Sequence, residues 1–268
     1  MDRLSVSALA ERIPDGALLA LPPDYSGCAL AVVRELVRRG AQDLRLLGVP
    51  QLGLQADLLT GAGCVRELEA AAISLGAYGP APAFDRARAQ GRIVVRESSC
   101  PAIHAALTAA ERGVPFMPLR GLLGSDLLAL RPDWKVVDNP FTAGDPILLI
   151  PALRPEIALF HAPFADRRGN VWIGVRRELM TLAHAARRCL VSVERILAED
   201  LLADERLAAG TIPALYIEAV AEAPRGARPL GLFGCYGEDR AWLARYASAA
   251  RSEAGFRRIL EEWLREAS

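Results

Sequence analysis

What this 268-residue chain has least of is lysine: among 32 lysines and arginines, Lys135 is the single lysine. With lysine goes the phosphate-loop motif, which needs one after its glycine turn, and no dinucleotide fingerprint followed by a suitably placed acid takes its place. Charge of one sign is missing too. The 32 basic residues are matched by 32 acidic ones, and neither a basic tail nor a basic stripe offers a footprint for nucleic acid. The three histidines, His104, His161 and His184, stand at no metal-ligand spacing, so neither a metal nor a bound cofactor is expected. Cys28, Cys64, Cys100, Cys189 and Cys235 are odd in number, widely spaced and form no CxxC pair, which argues against structural zinc and against a disulfide framework. No apolar run is long enough to span a bilayer, and the amphipathic start MDRLSVSALAERIPDG has no signal-peptide core. A cytoplasmic protein without membrane contact is the expectation.

What is present is core. At 52% hydrophobic residues the chain can bury a full interior, and short apolar runs alternate with helical patterns in the manner of an α/β protein with a mainly parallel sheet. Strands are expected at Ala17 to Leu21, Asp43 to Gly48, Glu67 to Ser74 and Arg92 to Arg96. Pro146 to Ile150, Glu156 to His161, Leu190 to Val193 and Ala214 to Val220 continue and close the same sheet. Helices are expected at Cys28 to Arg39, Leu54 to Thr60, Ala83 to Gln90 and Ile103 to Arg112. From Asp239 to Ala267 the apolar residues recur at helical spacing, which predicts two terminal helices on the outside. No linker or repeat interrupts the chain, so residues 1–268 read as one domain.

The stretch Pro151 to Gly174, PALRPEIALFHAPFADRRGNVWIG, is the most specific. Two apolar runs flank the polar turn Asp166-Arg167-Arg168-Gly169-Asn170, where Gly169 and Asn170 suit positive backbone dihedrals and Asp166 and Asn170 can bond backbone amides. Its wording resembles the "A-D-x-x-G-N-V" segment of family I CoA-transferases, on the side of their A-type chains, the α-like chains of the glutaconate CoA-transferases included. Leu58 to Val65, Tyr78 to Phe84, Gly113 to Arg120, Val191-Ser-Val-Glu-Arg-Ile196 and the tail Tyr236-Gly-Glu-Asp239 with Tyr246 extend the likeness. That tail is also similar to the A-type chain of the steroid ring-opening CoA-thioester hydrolases.

The resemblance implies a family I CoA-transferase fold with a C-terminal helical extension. It also implies a CoA thioester as substrate, and a B-type CoA-transferase chain as partner in a heterodimer or heterotetramer. The chemistry moves CoA between carboxylic acids: a glutamate of the partner attacks the acyl carbon to form an anhydride and then an enzyme thioester. The local match to a glutamate-glycine motif here, Ser252-Glu253-Ala254-Gly255, falls in a charged helical segment and reads as helix surface. The alternatives are a ring-opening hydrolase and a non-catalytic chain that binds acyl-CoA.

For the site, the resemblance points to the loop after the first strand, Leu21-Pro22-Pro23-Asp24-Tyr25-Ser26-Gly27. Tyr25, Ser26 and Gly27 are candidates for substrate contact, and Ser26 also reads as the cap of the following helix. Cys100 takes the place of the hydrolases' glutamate and reads either as a small buried residue where a strand meets a helix or as a candidate reactive thiol at a helix start, with Glu97 the nearest acid. Arg120, Gly124 and Ser125 belong to a loop resembling "R-S/A-G-L-G-S/T-D" beside the acyl-CoA pocket. Leu21, Pro22, Pro23, Cys100 and Leu122, where the family has small or acidic residues, imply an acyl group more apolar, or differently shaped, than glutaconate. His161, at the end of a strand, reads as a satisfied core histidine. Glu194 is expected to pair with an arginine or to face the partner.

Overall fold

Parallel strands covered on both faces need near-continuous apolar runs, and this chain supplies them. In the computed structural model, which describes residues 2–265, β1 (Asp2–Leu4) leads through α1 (Val6–Glu11) to β2 (Leu18–Leu21), α2 (Leu30–Arg38) and β3 (Leu44–Gly48). A short β4 (Gln51–Leu52) and α3 (Leu54–Gly61) precede β5 (Val65–Ala70), β6 (Ala72–Ile73), α4 (Pro82–Ala89), β7 (Val94–Glu97) and α5 (Cys100–Arg112). Then come β8 (Phe116–Leu119), α6 (Leu127–Leu130), β9 (Lys135–Asp138), β10 (Pro146–Pro151), β11 (Ile157–Asp166), β12 (Val171–Trp172), α7 (Arg177–Ala185) and β13 (Arg188–Leu197). The described chain closes with α8 (Glu205–Ala208), β14 (Thr211–Ile212), β15 (Ala219–Glu222), α9 (Arg240–Ala249) and α10 (Glu253–Arg265).

The main sheet has the order β1-β15-β13-β11-β2-β3-β5-β7, with every pairing along it parallel. From β2 the chain builds outward in one direction through β3, β5 and β7, and from β11 in the other through β13 and β15. The boundary between β2 and β11 is therefore the switch point, where open α/β sheets leave a crevice at the carboxyl ends of the strands. One face is covered by α1 to α4 with α9 and α10. The other is covered by α5 and α7.

Several expectations need correction. Pro146 to Ile150 does not join the main sheet; β10 is the centre of a separate antiparallel sheet, β8-β10-β9, packed on α5 through Leu148, Ile150, Ala102 and Ala106. Its alternating burial and the prolines at both of its ends fit a half-covered antiparallel strand, not one buried on both faces. The flanking β8 and β9 were not expected, Pro118 lying inside the first and the second being exposed along its length. β1 was missed as well, because Asp2-Arg3-Leu4 reads as a charged leader; it pairs with β15 and ends the sheet. Within 214–220 the strand begins only at Ala219, Ala214–Tyr216 being a 3-10 turn.

The two terminal helices form as expected, residues 266 and 267 of that segment lying outside the described ones. They pack on the outside as expected, α10 exposing Glu253, Arg257, Arg258, Glu261 and Glu262 while its other face is buried. Tyr246, Phe256 and Trp263 are among the largest fully buried side chains, and Gly61 is the reason Phe256 fits: a Cβ there would lie 2.2 Å from the ring. The hairpin turn also holds, with Phe164 opposite Trp172 and Ala165 opposite Val171. Asp166 Oδ1 accepts from the amides of Arg168, Gly169 and Asn170, and Oδ2 accepts from Asn170 Nδ2 and the Leu201 amide. Only Gly169 of the turn takes a positive φ; Asn170 does not.

Candidate functional site

At the switch point the chain turns out of β2 on two prolines that offer no amide hydrogen. Glycine is required where the turn meets β11. Gly27 has a φ of +85°, its carbonyl accepts from the His161 amide at 2.7 Å, and a Cβ at Gly27 would stand 2.1 Å from the His161 oxygen. Ser26, expected to cap α2, instead donates its hydroxyl to the Glu178 carboxylate of α7; α2 has Ala29 at its N-cap position and no side-chain cap. The loop is thus tied to the far wall of the crevice.

The space it borders is a cavity of about 510 Å³. Its apolar lining includes Leu52, Leu75, Leu230, Leu232, Phe233 and Leu243, and its polar lining includes Asp24, Tyr78, Arg176, Tyr236 and Glu238. Asp24 accepts from the Leu54 amide with both oxygens, at 3.0 and 3.1 Å, and Gly53 gives it room, since a Cβ there would fall 2.2 Å from the carboxylate. Burial pushes the Asp24 carboxyl up to about 6; the Leu54 amide and the Cys28 thiol oppose the rise, while Asp57 and Glu238 add to it. Glu238 accepts from the Tyr78 hydroxyl at 2.8 Å and lies 3.5 Å from Arg240. The Arg176 guanidinium stands 5.7 Å from the Tyr25 ring and 5.2 Å from the Phe233 ring, with no carboxylate in ion-pair distance among the described residues. A cation between two aromatic faces at a cavity wall suits an anion bearing an apolar body.

Beneath this wall lies a buried polar network. His161 is fully enclosed; its Nδ1 is 2.8 Å from Ser192 Oγ and its Nε2 is 2.7 Å from Glu194 Oε1. Burial lowers the affinity of the imidazole for a second proton, against the pull of Glu194. Burial also acts to raise Glu194, but His161, the Arg225 amide and the Tyr236 hydroxyl outweigh it and hold the carboxyl below its ordinary range. His161 is a satisfied core histidine, as expected. Glu194 meets an arginine only through the Arg225 main chain.

Of the residues singled out in the sequence, Tyr25 lines the cavity, while Ser26 and Gly27 are buried beside it and are not part of its lining. Cys100 opens α5 behind its cap Ser99, whose Oγ accepts from the Ala102 amide at 3.3 Å. It is close enough to Tyr25 to act on it electrostatically: burial and Glu178 raise that phenol, Arg176 opposes them, and Cys100 adds to the rise. Glu97 ends β7 with its carboxylate 3.8 Å from Arg88, and Arg120 pairs with Asp145. Gly124 and Ser125 sit with them away from the cavity lining, on the segment between β8 and β9. Leu122 fills the small core beside Trp134, Leu148 and Ile150, so it does not narrow the cavity. Glu253 pairs with Arg257 on the surface of α10, as the helix-surface reading has it. Asp24 and Glu238 lay inside motifs already singled out, the first-strand loop and the Tyr236 to Asp239 tail, and could have been found there. Arg176, Glu178 and Phe233 carry no local signal.

Among the described residues no group of three or more His, Cys, Asp or Glu could hold a metal ion, and no helix is long and apolar enough to cross a membrane. Residues 4–223 match the family model described as Coenzyme A transferase. The chain is 32% identical to the A-type chain of the 3-oxoadipate CoA-transferase of Pseudomonas knackmussii, covering 98% of this chain and 93% of that one. Among solved structures it is similar to the glutaconate coenzyme A-transferase of Acidaminococcus fermentans, with a TM-score of 0.89, 26% identity, and coverage of 98% of this chain and 89% of that one. It is also similar to a variant of the decarboxylase AibA/AibB, with a TM-score of 0.86, 32% identity and 98% of both chains covered.

Proposed function

The chain belongs to the coenzyme A transferase family, and from that membership we propose that it is the A-type chain of a two-chain cytoplasmic CoA-transferase whose partner supplies the nucleophilic glutamate. The observation that carries the proposal is the state of the acids in the cavity. Asp24 is bound at both oxygens by the Leu54 amide, and Glu238 is engaged by Tyr78 and Arg240, so neither is a free carboxylate poised for attack. This supports an attacking oxygen supplied from outside the chain. A partner has a surface to use, because the small sheet and the turn after β9 leave Phe116, Val136, Val137 and Phe141 exposed. Arg120, Gly124 and Ser125 lie in the same region, away from the cavity lining, and in this reading they face the partner.

In this reading the acyl group of a CoA thioester enters the cavity. The partner's carboxylate oxygen bonds to the thioester carbonyl carbon as the carbon–sulfur bond breaks, giving an anhydride and CoA thiolate. The thiolate then attacks the glutamyl carbonyl, releases the first carboxylic acid and leaves CoA on the partner, from which a second acid takes it in reverse. This chain binds and orients: Arg176 faces a carboxylate, while Tyr25 and Phe233 cover the apolar body beside it. A specific observation favours a second reading. Asp24, with its carboxyl raised to about 6, can take a proton from a water molecule near neutral pH, as a CoA-thioester hydrolase requires. One fold hosts several such reactions, the similar decarboxylase among them.

The test is reconstitution with the partner chain and an acyl-CoA, with and without an acceptor carboxylic acid. Transfer gives a new thioester only when acceptor is present. Free thiol released at the same rate in its absence overturns the transferase reading and supports the hydrolase.

A further inference from the structure

The acyl cavity has a smaller neighbour, a pocket of about 310 Å³ lined by the apolar Pro80, Pro82 and Ala247 and by the exposed Asp85 and Arg251. Its remaining charged residue, Arg86, is engaged by the Pro82 and Ala250 carbonyls and stands 5.9 Å from the Phe256 ring. Among the described residues Tyr78 alone lines both spaces. Its side chain is therefore the wall they share.

That wall is held from both ends. Tyr78 closes a 3-10 turn, Gly76–Tyr78, whose flanks need glycine: Gly76 has a φ of +61° and Gly79 one of +101°. At the base of the turn the Leu75 amide donates to the Gly79 carbonyl at 2.8 Å, Ser74 bridges Pro80, and the Leu75 side chain is buried in the core. The Tyr78 ring packs against that same core. At its tip the hydroxyl donates to Glu238 Oε1 at 2.8 Å, which ties the turn to the segment from Leu230 to Glu238 on another wall of the acyl cavity. A ring fixed by its backbone, its packing and its hydroxyl makes a partition between the two spaces.

We infer that Tyr78 is a specificity-determining residue, its ring ending the acyl cavity on this side and limiting the length of acyl group that a CoA thioester can bury there. With the ring in place, methylenes beyond that length stay in water and add nothing to binding; with it gone, they run on over Pro80, Pro82 and Ala247. The favoured class is a short or compact acyl group. The length limit rests on the reading under Proposed function, which puts the acyl group in this cavity; the partition rests on the placing of Tyr78.

Saturated thioesters from butyryl-CoA to decanoyl-CoA test it, by calorimetric binding to the full-length chain and by turnover in the complex with the partner chain. Tyr78→Ala is expected to move the preferred length upward, each methylene past the wild-type optimum gaining roughly fourfold in affinity and in kcat/KM where wild type gains nothing. Tyr78→Phe keeps the ring and loses only the bond to Glu238, so its shift should be smaller. Tyr78→Leu, which keeps an apolar side chain against the core, should shift as Tyr78→Ala does and carries the test if thermal melting shows Tyr78→Ala to be unfolded. Length profiles parallel to wild type in a folded Tyr78→Ala or Tyr78→Leu overturn the partition, and transfer by the same complexes leaves the transferase standing. Wild-type affinity that climbs by the same factor all the way to decanoyl-CoA overturns it as well. A shifted binding profile without transfer in any complex keeps the partition and removes the transferase reading.

Discussion

Removing one hydroxyl, Tyr246→Phe, tests whether the terminal helices support the floor of the site. Tyr246 is fully buried on α9 and donates to Asp57 Oδ2 on α3 at 2.7 Å, while the Phe84 amide serves Oδ1 at 2.7 Å. Burial pushes Asp57 from the ordinary 3.8 up to about 6, against those two bonds. Because the folded value lies above the unfolded one, ionising Asp57 costs stability as pH rises between those limits, and the cost is complete above them. In the variant the carboxyl loses a donor and rises further. At about pH 7.5 the loss is a hydrogen bond to a charged group, about 1.5–3 kcal/mol; at about pH 5 Asp57 is mostly neutral in both proteins and the loss falls to about 1 kcal/mol. Urea denaturation at both pH values reads the difference. A destabilisation equal at the two, or under about 0.5 kcal/mol at each, would refute the assignment of a charged, buried Asp57. The effect reaches the site, because α3 begins at Leu54, whose amide holds Asp24.

Gly27→Ala should not give a stable native protein: the new methyl would meet the His161 carbonyl at 2.1 Å on a backbone with φ +85°, and a loss above about 3 kcal/mol is expected by melting or by failure to express in soluble form. Asp24→Asn removes a group that titrates at about 6, so a hydrolytic activity that rises with pH through that value should lose this limb, and an unaltered profile would exclude Asp24 as the base. The isolated chain should transfer no CoA; robust turnover without a second polypeptide would end the split-site reading. Phe141→Asp, at a side chain 92% exposed, should leave the melting temperature within a few degrees while weakening complex formation on size-exclusion chromatography, and full assembly would remove that face from the interface.

The centre of the parallel sheet was legible because Leu18 to Leu21 and Ile157 to His161 are short apolar runs bounded by turn residues, as strands buried on both faces require, whereas the outer strands Val65–Ala70 and Val94–Glu97 carry charges. The small antiparallel sheet was not, since Lys135 to Asp138 is exposed throughout and Phe116 to Leu119 holds a proline; pairing with β10 makes them strands, and pairing is not a local property. For the site, the first-strand loop was visible through its departure from a family pattern. Arg176 and Phe233 were invisible because 56 residues of chain lie between them and only the fold brings both to one wall. Ser26 misled: a serine before a helix usually caps it, and here a carboxylate from α7 outcompetes the helix amides.

His161 bears on how the loops at the switch point are held. Since Glu194 is held ionised, the proton shared with it must sit on His161 Nε2, and Nδ1 is left to accept from the Ser192 hydroxyl. Both nitrogens are thereby used, and the ring is closed to solvent, so His161 positions and does not transfer protons to a substrate. Its main chain clamps Gly27, which fixes the loop carrying Asp24 and Tyr25. Its ring backs Gly226, and its partner Glu194 holds the Arg225 amide and the Tyr236 hydroxyl. One buried pair at the switch point thus sets the geometry of the loop carrying Asp24 and Tyr25 on one side and of the loop at Arg225 and Gly226 on the other. A change there, such as Glu194→Gln, reaches both at once: the amide would set its own NH2 against either the Arg225 N–H or the donors at Oε1, leaving at least one of three hydrogen bonds unmade.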